Sequence, residues 1–253
     1  MSSTLVRFLL GNSTMKFQTL SENDIEGLFP GSSTAKVEKE RYLGSLGLQL
    51  DAVHLGANTS TIYQNDPKLL LFTLSRYKFV SKMFAGFENV LEVGCQEGFG
   101  AQVICKEVTA YTGVDFYLPH IESSKERNTA PNAKYEVHDI LNRPIQRNFD
   151  GAFALDVLEH IVPEKEDLFV QNICESLKPH GSVILGMPSF ESQKFASKAS
   201  KAGHVNCKSG ENFKNLLKQY FHNCFLFSMN DEVLHTGFSP MSHYLFVLAC
   251  NKK

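Results

Sequence analysis

No apolar run in this sequence approaches the ~18 residues that a membrane-spanning helix needs. The opening stretch MSSTLVRFLLGNSTMK has a short apolar patch, but it lacks a long apolar core and a small-residue cleavage site, so no secretory leader is expected. The six cysteines stand at 95, 105, 174, 207, 224 and 250, with no C-x-x-C and no paired spacing. That pattern argues against a zinc ribbon or a disulfide framework and points to reduced thiols in a cytoplasmic setting. An excess of charge of one sign is also missing. The formal net charge is −2, so no global basic field advertises nucleic acid binding. One local concentration, residues 192–218, carries six lysines and one glutamate and reads as a solvated loop and helix face. Repeats and low-complexity tracts are absent. What remains is an ordinary globular composition, long enough for one α/β domain with a cap.

Residues 1–65 are read as an N-terminal helical and loop cap, with Ser21 capping a short helix and PGSSTAKVEKERYLGSLGL reading as loop followed by helix. From residue 66 the signals sharpen. Asp66 can cap a helix that starts at Pro67, runs through an apolar stretch to Phe84 and stops at Gly86. Strand patterns follow in NVLEV, YTGVDF, AKYEVHDI, FDGAFALDV and GSVILGMP, separated by helical stretches such as EKEDLFVQNICESLKP. Strands alternating with helices imply a parallel, doubly wound sheet, so residues 66–253 are expected to form one such domain. NCFLFSMND and HYLFVLACNKK, joined by residues 231–243 without a helix, suggest an antiparallel pair closing one edge.

The first strand runs into VLEVGCQEGFG, whose glycines permit a tight turn and close approach of backbone to a ligand. The spacing G-x-x-x-G-x-G departs from the G-x-G-x-x-G of dinucleotide-binding turns, and Glu92 beside a pyrophosphate would be unfavourable. A ligand with an amino-acid end, a ribose and an adenine, and no phosphate, suits the acids better. Asp115 ends the second strand, where a carboxylate can accept from both ribose hydroxyls; Asp139 ends the third, where it can accept from an adenine amino group.

The ordered set VLEVGCQEGFG, TGVDF, HDI, FDGAFALDVLEHI and SLKPHGSVILGMPS resembles the successive motifs of class I S-adenosylmethionine-dependent methyltransferases, over about residues 66–250. The resemblance implies a seven-stranded sheet with its last strand antiparallel. It also implies that S-adenosyl-L-methionine is held by Glu92, Gly94, Gln96 and Gly98 in the loop, Asp115 and Phe116 at the ribose, Asp139 and Ile140 at the adenine, and Asp156 beside the methyl group. The family usually has glycine where this chain has Gln96, which bears on the loop's conformation.

Methyl transfer from a sulfonium needs alignment and a deprotonated nucleophile, so a hydroxyl acceptor benefits from a general base. Asp156, Glu159 and His160 are spaced i, i+3, i+4 and share a face if they lie on a helix. Glu159 and His160 can form an oriented base. The DVLEH stretch is also similar to the acid-x-x-Glu-His metal motif of ubiquinone-pathway O-methyltransferases and small-RNA 2′-O-methyltransferases, which usually carry Glu where this chain has Asp156. A divalent metal is therefore an option, and no metal ligand is assigned. His204, in the segment after the fifth strand, is a further catalytic candidate. His138 is read as structural or a cofactor neighbour, while His235 and His243 could line an acceptor site. So could Phe17, Phe29, Tyr42 and Tyr63, although core packing is their ordinary use. The expected partner is a small hydroxylated acceptor, such as a sugar or natural-product intermediate, with no membrane or nucleic acid and a homodimer compatible. The alternatives are an RNA or protein methyltransferase, or a non-catalytic subunit that binds S-adenosylmethionine.

Overall fold

A computed structural model of the chain describes residues 54–146 and 148–253. The expectations for Ser21, the helix after Gly31, Phe17, Phe29 and Tyr42 lie outside the described residues. Residues 54–253 form one compact unit. Helix α1 (Ala57–Asn65) lies within this unit. Helix α2 (Pro67–Met83) starts as expected: Pro67 occupies the first turn and the Asp66 side chain accepts from the Leu69 N–H.

The strands are β1 (Asn89–Val93), β2 (Ala110–Asp115), β3 (Ala133–Val137), β4 (Phe149–Leu155), β5 (Leu177–Pro188), β6 (Phe221–Asn230), β7 (Val233–His235) and β8 (Tyr244–Lys252). They form one sheet in the order β3-β2-β1-β4-β5-β8-β6-β7. β1 to β5 pair in parallel, and β8 runs antiparallel between β5 and β6. The sheet has eight strands where seven were expected. The extra one arises because Asp231 takes a left-handed φ of 53°, and the chain folds straight back in a two-residue hairpin that lays β7 on β6.

Helices cover both faces, which is why the central strands read as continuous apolar runs rather than alternating ones. On one face α2, α3 (Ala101–Ile104) and α4 (Leu118–Arg127) bury Phe79, Val80, Ile104 and Ile121. On the other, α5 (Glu166–Ser176) and α7 (Gly210–Lys218), which flank the short α6 (Lys198–Gly203), bury Phe169, Ile173, Phe213 and Leu217. α5 stops at Ser176, short of the expected Pro179, because Leu177 already pairs with Phe149. Four of the six cysteines are buried, and all six are free thiols. Among the described residues no helix is long and apolar enough to cross a membrane.

Candidate functional site

The carboxyl ends of the parallel strands open onto two cavities of about 600 Å³ and about 610 Å³. They share Gly94, Gln96, Asp156 and His160, so they meet at the glycine loop and at the end of β4. The loop is shaped by left-handed backbone at Gly94 (φ 77°), Gln96 (φ 47°) and Gly98 (φ 70°). A Cβ on Gly94 would strike the Val157 side chain, and one on Gly98 would sit 2.7 Å from the Tyr135 ring. Gln96 adopts the conformation a glycine would, and two bonds hold it there. Its N–H donates to Asp115 Oδ2 at 3.0 Å and its carbonyl accepts from Ser124 Oγ at 3.0 Å. Replacing Gln96 with glycine should therefore leave S-adenosylhomocysteine affinity within about threefold in a calorimetric titration, since relieved strain and added chain entropy nearly offset; a larger loss would mean that the side chain itself touches the ligand.

Asp115, 6% exposed, stands at the end of β2 and lines the second cavity. Its Oδ1 accepts from the Tyr117 N–H at 2.9 Å, so the carboxylate ties the glycine loop to the β2–α4 turn. Asp139 lies in the turn after β3, where its Oδ1 accepts from the Leu141 N–H at 2.9 Å. Phe116 and Ile140 line the same cavity, with Phe116 75% exposed. Among the described residues no lysine or arginine lines this cavity.

Glu92 is placed differently. It is 1% exposed and lines neither cavity. Tyr77 from α2 donates to its Oε1 at 2.6 Å and Tyr111 from β2 donates to its Oε2. Burial pushes this carboxyl up to about 7, with the two tyrosine bonds opposing. A carboxyl that binds its proton more tightly in the fold than in the unfolded chain stabilises the fold below its ordinary value near 4.5 and loses that contribution as pH rises through about 7. The wild type should accordingly lose about 3 kcal/mol relative to Glu92→Gln between those limits, at about 1.4 kcal/mol per unit. Denaturant unfolding across that pH range measures the difference, and parallel curves for the two proteins would overturn the assignment.

The end of β4 holds the other candidates. Asp156, Glu159 and His160 do not lie on an α-helix. Asp156 is left-handed at φ 57° and only a single 3₁₀ turn follows, over Leu158–His160, before Pro163. All three nevertheless line the first cavity. The Glu159 carbonyl accepts from the Val205 and Asn206 N–H groups at 2.8 and 3.0 Å, docking the 203–206 segment against the turn and bringing His204 beside His160, with ring centroids 5.1 Å apart. His160 Nδ1 donates to the Gly203 carbonyl and His204 Nδ1 to Gln193 Oε1, each at 2.9 Å. That leaves both Nε2 atoms as acceptors. Glu159 is 1% exposed, and neither of its oxygens has a hydrogen-bond partner. Burial first and Asp156 second raise its carboxyl to about 9, and burial with His160 lowers His204. One ligand atom from each of Glu159, His160 and His204 falls within a 4.8 Å group, a spacing at which three side chains could hold a divalent cation.

Of the other histidines, His243 lines the first cavity and His138 the second, where its Nε2 bonds the Arg143 carbonyl. His235 lines neither and is tied into the β6–β7 hairpin through Asn230 and Gly237. Tyr63 is 59% exposed. Sequence reasoning missed Glu97, whose carboxylate accepts from the N–H groups of Ala57 and Asn58 at 2.7 and 3.1 Å and so fixes the start of α1 on the glycine loop. It also missed Arg76 and Tyr244. A lone arginine among the apolar residues of LLLFTLSRYKFV was the available signal for the first.

Residues 90–181 match the family model of a methyltransferase domain. No curated protein matches the chain in sequence. Among solved structures, it is similar to the N-methyltransferase NodS from Bradyrhizobium japonicum WM9 in complex with S-adenosyl-L-homocysteine, at 18% identity and TM-score 0.57, covering 78% of this chain and 93% of that one. It is also similar to the plantazolicin methyltransferase BpumL in complex with a pentazolic desmethylPZN analog and S-adenosylhomocysteine, at 15% identity and TM-score 0.59, covering 78% and 90%. A third is the methyltransferase domain of bacterial CtHen1, at 15% identity and TM-score 0.58, covering 71% and 98%. At these identities the likeness is one of fold. Residues 90–181 thus match the pattern of a methyltransferase domain, and the chain shares the fold of these methyltransferases.

Proposed function

We propose that the chain transfers a methyl group from S-adenosylmethionine to a hydroxyl of a small acceptor, which stands in the first cavity against Glu159, His160 and His204. The observation that carries this reading is the convergence of those three side chains where the first cavity adjoins the second. The residues of the second cavity fit the cofactor. Carboxylates at the ends of two successive strands offer acceptors for ribose and adenine, apolar side chains flank them, and a dinucleotide's pyrophosphate would find no lysine or arginine. S-adenosylmethionine supplies a methyl group already activated by its sulfonium, which leaves the protein alignment and the acceptor's proton.

On this reading Gly94 and Gln96 shape the channel between the cavities. Asp115 takes the ribose hydroxyls, and Asp139 takes the adenine amino group between Phe116 and Ile140. The free Nε2 of His160 or His204 accepts the acceptor's proton. A second reading is favoured by the two unpartnered oxygens of Glu159: with both histidines it would hold a divalent cation that lowers the pKa of the acceptor hydroxyl.

Formation of S-adenosylhomocysteine across a panel of sugars, phenols and natural-product alcohols, with and without EDTA, tests both. Acceptor-dependent product supports the assignment. Product lost to EDTA and restored by Mg²⁺ or Mn²⁺ selects the cation, and indifference to EDTA selects the histidine base. Binding of S-adenosylhomocysteine without turnover of any hydroxyl, RNA or protein acceptor would instead favour a subunit that binds the cofactor and does no chemistry.

A further inference from the structure

Away from Glu159, His160 and His204 the first cavity has a different character. Ile62 from α1, Leu69, Leu70 and Phe72 from the start of α2, and Phe99 beside the glycine loop line its wall. These five side chains are half-buried, and among the described residues none of them belongs to the apolar core on either face of the sheet. Phe195, 82% exposed, carries the same wall out to the surface. Polar side chains along the wall are engaged by the protein itself. The Thr73 hydroxyl donates to the Leu69 carbonyl at 2.9 Å, that of Ser192 donates to the Ser189 carbonyl at 2.8 Å, and the Glu97 carboxylate holds the first N–H groups of α1. Arg76, the one lysine or arginine lining this cavity among the described residues, donates from Nη1 to both Asp156 oxygens, at 2.8 and 3.0 Å. Its guanidinium carbon lies 3.8 Å from the Tyr244 ring centroid. Among the described lining residues, buried polar side-chain atoms without a partner belong to Glu159, Arg76 and Tyr244, which stand beside Asp156 or in the turn that follows it.

We propose that the acceptor is an alcohol or phenol carried on an apolar body: its hydroxyl meets Glu159, His160 and His204, and its carbon skeleton lies along Ile62, Leu69, Leu70, Phe72 and Phe99 towards Phe195. This rests on the reading of the first cavity as the acceptor site. Covering such a wall favours a carbon skeleton in proportion to the apolar area removed from water. A sugar would turn its other hydroxyls to the same side chains, and each one buried without a partner weakens binding roughly 5- to 150-fold. A cavity of about 600 Å³ is of the size that takes a drug-sized ligand, and the exposed Phe195 lets a longer body continue past the mouth.

Formation of S-adenosylhomocysteine from a series of 4-alkylphenols, methyl to hexyl, measured beside glucose and methyl glucoside, tests the acceptor class. In the wild type kcat/KM should rise about fourfold per methylene, as burial of each CH₂ predicts, and the best phenol should exceed either sugar by at least about 100-fold. Phe72→Ser should raise KM for the hexyl member about tenfold and for the methyl member less than about threefold, because only the longer chain reaches the wall. S-adenosylhomocysteine affinity within about threefold of the wild type reports that this variant is folded, since Phe72 does not line the second cavity. A flat series in the wild type, a sugar used as well as the best phenol, or an unchanged KM for the hexyl member in folded Phe72→Ser overturns the proposal while leaving the hydroxyl reading in place. Binding of S-adenosylhomocysteine without turnover of any phenol, alcohol or sugar overturns both.

Discussion

Asp115→Ala is expected to lower S-adenosylhomocysteine affinity by about 100-fold or more. The carboxylate is 6% exposed and accepts from the backbone of Gln96 and of Tyr117, one N–H on each oxygen. It also lines the cavity proposed to take the ribose. Alanine removes the proposed ribose contacts and frees the loop that carries Gln96, and each hydrogen bond to a charged group is worth about 1.5–3 kcal/mol. Two such bonds correspond to at least a hundredfold at about 1.4 kcal/mol per decade. Asp115→Asn retains one acceptor oxygen and should fall between the wild type and the alanine variant. Calorimetry on protein whose melting curve stays cooperative measures the effect, and affinity within threefold of the wild type would remove Asp115 from the cofactor site.

The second large effect is expected on turnover. Under the cation reading Glu159→Ala removes one of three ligands and should slow methyl transfer to the acceptor identified in the panel by more than the about 10- to 100-fold that loss of a ligand's outer partner costs. S-adenosylhomocysteine affinity should stay within about threefold, because Glu159 lines the first cavity and not the second. His160→Ala and His204→Ala should give losses of similar size, and combining them should cost little more, as for groups that act as a unit. The fold tolerates the change: the Glu159 carboxyl is buried with no hydrogen-bond partner, so its removal strands no donor or acceptor. Turnover unchanged to within threefold in all three variants would place the acceptor elsewhere.

The sequence determined much by itself. The Asp66–Pro67 start of α2, the run of parallel strands and the acids at two strand ends are local signals, set by caps, φ preferences and apolar runs, and the fold keeps them. Three features were decided only in the tertiary structure. Glu92 is the lone acid within the apolar strand β1, next to the glycine loop, yet Tyr77 and Tyr111, brought in by two different elements, take both its oxygens. Asp156, Glu159 and His160 have helical spacing, but the left-handed Asp156 and the single 3₁₀ turn set their directions, and the cavity rather than a helix face unites them. His204 joins them because the Glu159 carbonyl captures the backbone of Val205 and Asn206 across 46 and 47 positions of chain. Residue spacing specifies neighbours along one element; which side chains consume one another's hydrogen bonds, and which charges face a cavity, follows from contacts between elements that only the packed sheet supplies.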